Sequence, residues 1–153
     1  MSAIDDRLAE LGVTIPSVVV PVAAYVPATT SGNLVFTSGQ LPMRDGTLLE
    51  TGKVGAEVSP ERANELAAVC ILNALAAAQS VIGSLDRVTR IVKVVGFVAS
   101  APDFSGQPQV VNGASHLLGE IFGEAGRHAR SAVGVAVLPL DAPVEIELVL
   151  EFA

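Results

Sequence analysis

Val88-Thr89-Arg90-Ile91-Val92-Lys93-Val94-Val95-Gly96-Phe97-Val98 is the stretch on which the fold turns. It is a β-branched run with apolar side chains on both faces, interrupted by Arg90 and Lys93. Burial on both sides predicts a strand with neighbours on either edge of a sheet. Upstream, Ser59 reads as a helix cap, Pro60 as the first helical position, Glu61 as a suitable charge for the positive helix end, and Gly83 as the stop. Ala63, Leu66, Ala67, Cys70, Ala74, Ala77, Ala78 and Val81 form a stripe of small and medium apolar residues along that helix, suited to close packing on a sheet. Cys70 inside the stripe reads as core filler. Downstream, Pro108 opens a second helix with Val110, Val111, Ala114, Leu117, Leu118, Ile121 and Phe122 at helical spacing. Gly113 and Gly119 within it each cost about 1 kcal/mol relative to alanine, a cost tolerated where something packs close.

Further out, the chain ends in two strands. Ala129 to Val137 alternates Val133, Val135 and Val137 against Arg130, Ala132, Gly134 and Ala136. After a turn over residues 138–143, Val144, Ile146, Leu148, Leu150 and Phe152 point one way and Glu145, Glu147 and Glu151 the other. At the start, Ser2 caps a short helix carrying Ile4, Leu8 and Leu11, and Gly12 stops it. Val18-Val19-Val20 and Val22 read as extended chain between prolines, and residues 29–33 as a turn leading into a strand at Leu34-Val35-Phe36. Asp45-Gly46 reads as a hairpin turn. The order of strands, helix, strand, helix, strands predicts one α+β domain over residues 1–153, a mixed sheet with two main helices packed on one face.

Only 16% of the 153 residues are charged, against about 25% in ordinary soluble domains. A surface so short of charge predicts that another subunit covers part of it. Sixteen acidic residues against nine basic ones give a net charge of −7, which disfavours a nucleic-acid partner. A single cysteine excludes an intrachain disulfide, and the acidic residues Asp5 and Asp6 stand where a secretory signal would be basic. With no uninterrupted apolar run near the roughly 20 residues that span a bilayer, a cytoplasmic protein without a membrane partner is expected. Cys70, His116 and His128 lack metal-ligand spacing, so no metal is predicted, and the histidines read as surface or structural residues.

Arg130 followed by the small same-side residues Ala132 and Gly134 leaves room for a ligand, and a guanidinium fork suits a carboxylate. Spacing alone favours a plainer use, an ion pair with Glu145, Glu147 or Glu151 on a neighbouring strand. Tyr25 reads equally as a packed ring or a pocket wall. Ser38 reads equally as a turn residue or a ligand contact, and Asn112, on its own, as a surface residue near a helix start.

Two segments carry a resemblance. Tyr25-Val26 with Ser31-Gly32-Asn33-Leu34-Val35-Phe36-Thr37-Ser38-Gly39-Gln40-Leu41-Pro42 resembles the first signature of the RidA (YjgF-like) family of reactive-intermediate deaminases. Ala129-Arg130-Ser131-Ala132-Val133, Leu138-Pro139 and Val144-Glu145-Ile146-Glu147 resemble its C-terminal signature. The resemblance runs from Tyr25 to the end and leaves residues 1–24, a helix and an extended arm, uncovered.

The resemblance implies a chorismate-mutase-like subunit in a homotrimer with clefts between subunits. It implies hydrolysis of 2-imino acids such as 2-iminopropanoate, formed from enamines, to 2-keto acids and ammonia without a cofactor. In those terms Arg130 clamps the substrate carboxylate, Glu145 orients or activates water, and Tyr25, Ser38 and Asn112 line the pocket. Backbone groups at Ala132 hold the imine nitrogen and water. Members with this activity have cysteine at the position of Ala132, Gly-Pro precedes the tyrosine where this chain has Ala23-Ala24, and extra residues stand around Ser105 to Gln109. A non-catalytic module binding small carboxylates in the same cleft is the alternative. A ribonuclease reading is opposed by the acidic charge, the 4% aromatic content and the lack of a histidine pair.

Overall fold

The structure, a computed structural model, describes residues 2–18 and 20–153. Helix α1 (Ala3–Leu11) starts where the Ser2 side chain accepts the Asp5 N–H and stops at Gly12, which is left-handed at φ 67°. No strand forms between Gly12 and Pro27 among the described residues. Of the valines expected there as extended chain, Val18 and Val20 lie in irregular backbone, Val22 enters a bend, and Val19 lies outside the described residues. Pro16 and Pro21 deprive this arm of backbone donors, which discourages ladder formation.

Strands β1 (Ala28–Ser31) and β2 (Leu34–Thr37) form an antiparallel hairpin closed by Gly32-Asn33, with Gly32 at φ 59° as the first central residue of a two-residue turn. Thr29, Thr30 and Ser31 therefore belong to a strand, where the sequence reading had placed a turn. All three are exposed, because β1 is a sheet edge, and an edge strand needs no apolar pattern. Strands β3 (Met43–Arg44) and β4 (Thr47–Leu48) make a separate hairpin through Asp45 and Gly46, both at positive φ as expected of such a turn.

Helix α2 (Pro60–Ile82) has the caps expected of it: the Ser59 side chain accepts the Arg62 N–H, and Gly83 follows the last turn. Its apolar stripe is buried as far as Ala78, but Val81 is 42% exposed and Ile82 takes the inward position. The helix is long and apolar enough to cross a bilayer by length and composition, yet its stripe is spent on the core. Helix α3 (Gln107–Phe122) follows the long strand β5 (Val88–Ala99) and leads to β6 (Ala129–Val135) and β7 (Val144–Phe152).

The main sheet has the order β1-β2-β7-β5-β6, with β5 parallel to β6 and antiparallel to β7. This is the expected α+β architecture, a mixed sheet with α2 and α3 on one face. One expectation is corrected: β6 and β7 are not neighbours, because β5 lies between them. Chain adjacency is a preference in strand pairing, and β5 has two edges to fill. Ile91, Val94 and Val98 of β5, with Val144, Ile146, Leu148 and Leu150 of β7, pack against Leu66 and Leu75 of α2 and Val111 and Leu118 of α3.

Two glycines set the depth at which α3 sits. A Cβ at Gly96 would collide with the Val111 side chain. A Cβ at Gly113 would collide with the backbone carbonyl of Asn64 on α2, which cannot turn aside. Gly119, expected to share this duty, has nothing within 4 Å of where a Cβ would stand. Gly113→Ala is therefore expected to destabilise the fold by about 2 kcal/mol or more, and Gly119→Ala to stabilise it by about 0.5–1 kcal/mol. Urea unfolding of the two variants checks this, and equal midpoints would refute the assignment.

Candidate active site

Alternation along β6 sends Arg130, Ala132 and Gly134 to the helix side of the sheet and Ser131, Val133 and Val135 to the open side. The register pairs Val94 with Arg130 and Phe97 with Val133. Arg130 thus faces α3, where Asn112 and Ser115 stand one turn apart. Its Nη1 donates to Asn112 Oδ1 at 2.8 Å and to Ser115 Oγ at 3.2 Å. The expected alternative, an ion pair with Glu145, Glu147 or Glu151, does not form: those residues sit on β7, beyond β5, and Arg130 makes no salt bridge among the described residues.

Nη1 carries two hydrogens, and the two neutral acceptors use both. Nε–H and the Nη2 hydrogen beside it lie on another edge of the guanidinium and have no protein partner among the described residues. They form the parallel pair of donors that a carboxylate accepts side by side. A half-buried cation with only neutral partners keeps its full charge for a ligand. Ala132 is partly buried against the core, and the space over Gly134 is taken by Gln107, whose Nε2 donates to Ser100 Oγ at 3.1 Å. The room expected beside Arg130 is therefore filled at the Gly134 end of the strand.

Ser38, Tyr25 and Glu145 gather elsewhere. Thr37, at the end of β2, is buried, and its Oγ1 accepts the Leu148 N–H at 3.0 Å, which pins the following residues to β7. The Ser38 hydroxyl donates to the Val26 carbonyl at 2.6 Å, and its N–H donates to the Pro27 carbonyl at 2.8 Å. Ser38 thus ties the arm to β2, and its hydroxyl oxygen accepts no bond among the described residues. Asn73 of α2 donates to the carbonyls of Leu41 and Met43 at 3.1 and 3.0 Å and holds the segment beyond. Tyr25, 57% exposed, lies with Ser38 at the junction of two cavities of about 400 and 910 Å³, the larger lined also by Ile15, Met43 and Leu72.

Glu145 lies on the open face of β7, half-buried, with its carboxylate over Gly39. A Cβ at position 39 would come within 2.6 Å of Oε2. Burial raises the Glu145 pKa above the usual carboxylate value, and the charge of Glu147 raises it further. Cys70 is fully buried, its Sγ 3.8 Å from the Val144 carbonyl. Burial and then the Glu145 charge push its thiol well up, as suits the core role expected of it.

The expected residues therefore fall into two groups. Arg130, Asn112 and Ala132 meet at the β6–α3 edge. Tyr25 and Ser38 share two cavities near the end of β2, and Glu145 lies over the next residue, Gly39. Arg130 and Glu145 are two strands and three residues apart along the sheet, about 14 Å between backbones, and on opposite faces. Ser115, His128 and Gly39 were not singled out from sequence as site residues. Ser115 follows Asn112 by three residues on one helix face, and His128 precedes Arg130 by two, spacings that acquire meaning only once α3 is docked on β6. His116 is exposed, whereas His128 bonds to Ser115 and to the Gly126 carbonyl.

Comparison with known proteins defines the class. The family profile described as "YjgF/chorismate mutase-like, putative endoribonuclease" matches residues 5–152. The chain belongs to this YjgF-like family. Protein TCP17 of Trypanosoma cruzi is 43% identical over 146 residues, 95% of this chain and 91% of that one. A crystal structure of an Agrobacterium tumefaciens protein of unknown function is 47% identical, with TM-score 0.91 over 98% of this chain and 92% of that one. The structure of Escherichia coli TdcF with bound serine is 26% identical, with TM-score 0.62 over 92% of this chain and 96% of that one.

The raised pKa of Glu145 has a consequence for stability. The folded carboxyl holds its proton more tightly than the unfolded one, so its ionisation opposes folding at neutral pH. That penalty vanishes once pH falls below the ordinary glutamate value of about 4.3. Glu145→Gln is expected to melt above wild type at pH 7, with the gap closing as pH drops through the acid range. A gap that widens in acid would contradict this.

Proposed function

We propose that the chain hydrolyses 2-imino acids, such as 2-iminopropanoate and 2-iminobutanoate, to 2-keto acids and ammonia, in a cleft completed by a second copy of the chain. The observation that carries the reading is Arg130: a half-buried guanidinium held by two neutral acceptors on Nη1, with its Nε/Nη2 pair open. TdcF, a family relative, was solved with serine, a small amino acid whose carboxylate is the group such a fork accepts.

In this reading the Arg130 fork takes the substrate carboxylate and Asn112 holds the guanidinium in place. The backbone at Ala132 meets the imine nitrogen. Glu145 cannot come from the same copy, since it lies on the other face of the sheet. It comes from the neighbour, together with Ser38 and Tyr25, and the assembly is a homotrimer. Phe36, Val133 and Val137 are exposed apolar side chains, of the sort such contact would cover.

The iminium carbon is already electrophilic, so no covalent nucleophile is needed. Water attacks it and forms the C–O bond, while Glu145 takes the proton that the water loses. The proton then passes to the nitrogen of the carbinolamine; the C–N bond breaks as the hydroxyl oxygen forms the C=O bond and returns its proton to Glu145, and the departing ammonia carries that proton away as ammonium. A carboxylate of raised pKa is suited to both accepting and returning that proton.

A second reading, a carboxylate-binding module without turnover, is favoured by one residue: Ala132 stands where deaminating members carry cysteine. An RNA substrate is disfavoured by the net charge of −7.

Keto-acid release from freshly generated imino acids tests the proposal. Arg130→Lys keeps the charge and loses the fork, and is expected to lower kcat/KM by about 10²–10⁴-fold. Glu145→Gln is expected to lower kcat by about 10²-fold or more with little change in carboxylate affinity. Carboxylate binding by wild type without acceleration of hydrolysis would establish the binding module instead. Light scattering that reports a monomer would remove the shared cleft.

A further inference from the structure

Arg130 is held partly by Ser115, and Ser115 is held in turn by His128. The chain of donors can be followed atom by atom. His128 Nδ1 lies 2.6 Å from the Gly126 carbonyl, which can only accept, so Nδ1 carries a hydrogen. In a neutral ring so arranged Nε2 is a bare acceptor, and the Ser115 hydroxyl 2.9 Å away donates to it. The Ser115 hydrogen is thereby committed, and an oxygen lone pair is left facing Arg130 Nη1 at 3.2 Å. Without an acceptor at Nε2 the hydroxyl is free to rotate its hydrogen toward the guanidinium, where donor would meet donor.

Gly126 fixes the far end of this line. A Cβ there would collide with the Leu118 backbone carbonyl, so the short 3-10 turn Gly123–Gly126 lies flush on α3. The same helix therefore carries Asn112 and Ser115 and supports the carbonyl that orders His128.

We propose that His128 is a positioning residue for Arg130, acting through the Ser115 hydroxyl to present the Nε/Nη2 fork to a carboxylate. This rests on the reading of Arg130 as a carboxylate clamp and adds the device that holds the clamp in orientation. Two acceptors on one nitrogen fix the guanidinium plane before a ligand arrives. An arginine tethered only through Asn112 pivots about that bond and must be ordered by the ligand itself. Immobilising such a side chain on binding costs about 0.5–1.5 kcal/mol, so loss of the relay should weaken carboxylate binding about two- to tenfold.

The test uses the free protein and the purified full chain with 2-oxobutanoate as the probe. Nitrogen-15 NMR of the imidazole is expected to show the Nδ1–H tautomer, with Nε2 unprotonated and accepting a hydrogen bond that is lost in Ser115→Ala. Calorimetry is expected to give weaker 2-oxobutanoate binding, by about two- to tenfold, for both His128→Leu and Ser115→Ala. His128→Gln, which can return an acceptor to the Nε2 position, is expected to recover most of that loss. A purely structural histidine would give no such recovery, and circular dichroism melting confirms that each variant is folded. The Nε2–H tautomer, or wild-type affinity in His128→Leu, overturns the proposal while leaving the Arg130 clamp standing. Failure of wild type to bind 2-oxobutanoate, or wild-type affinity in Arg130→Ala, overturns the clamp and the relay with it.

Discussion

Between α2 and α3 the Asn64 carbonyl and the Gly113 Cα leave no space for a side-chain carbon. A second close approach, Val111 over Gly96, sets how deep α3 lies on β5. Together these contacts fix the helix in two directions, and everything at the Arg130 end depends on them. Asn112 lies between Val111 and Gly113 in sequence, so its side chain is delivered to Arg130 by the two residues that make the contacts. Ser115 follows on the same face. The Asn64 amide adds a tether by donating to the Gln109 carbonyl at 2.8 Å. A guanidinium can be presented with one edge open only if its other edge is held, and here that edge is held by a helix seated through two close contacts.

The sheet separates chemistry from packing. Its helix face is filled by β-branched and aliphatic residues, and Arg130 enters that layer only because β6 is the last strand and α3 covers it incompletely. The other face carries Glu145, Glu147 and Glu151 among half-buried and exposed apolar residues such as Phe97, Val149 and Phe36. An acid placed there gains a raised pKa from partial burial, and contact with a second copy would deepen that burial. The shortage of charge across the chain and the position of Glu145 both fit the proposed assembly, in which the open face meets a second copy.

Much of this fold is legible in the sequence because its signals are local. Ser59, Pro60 and Gly83 mark α2 to the residue, Ser2 and Gly12 mark α1, and Asp45-Gly46 marks its hairpin. Val88 to Val98 reads as an interior strand because both faces are apolar. Strand β1 escaped notice because Thr29, Thr30 and Ser31 are an exposed edge, where polar residues satisfy a strand as well as a turn. The neighbours of β6 and β7 escaped because pairing is decided by which edges of β5 remain open, a property no local pattern records. The same gap hid part of the site. Arg130 is legible as a charge among small residues, but its freedom from Glu145 depends on strand order. Ser115 and His128 have no local signature, since a serine within a helix and a histidine before a strand are commonplace.

Ala132 brings these threads to the substrate. It lies on the helix face beside Gly96, partly packed on the core, two residues from the arginine. Alanine in place of cysteine there removes a polarizable thiol contact and leaves backbone groups as the polar contribution of position 132. Neither the Arg130 fork nor the Glu145 carboxylate depends on a side chain at that position, because one is held from α3 and the other lies over Gly39. In the proposed reading the change acts on the part of a ligand that lies past its carboxylate, along an apolar wall set back by the difference between sulfur and hydrogen. In the proposed reading, grip on the acid group and selection of the group attached to it are governed by separate elements. That separation lets a chain keep the first while altering the second.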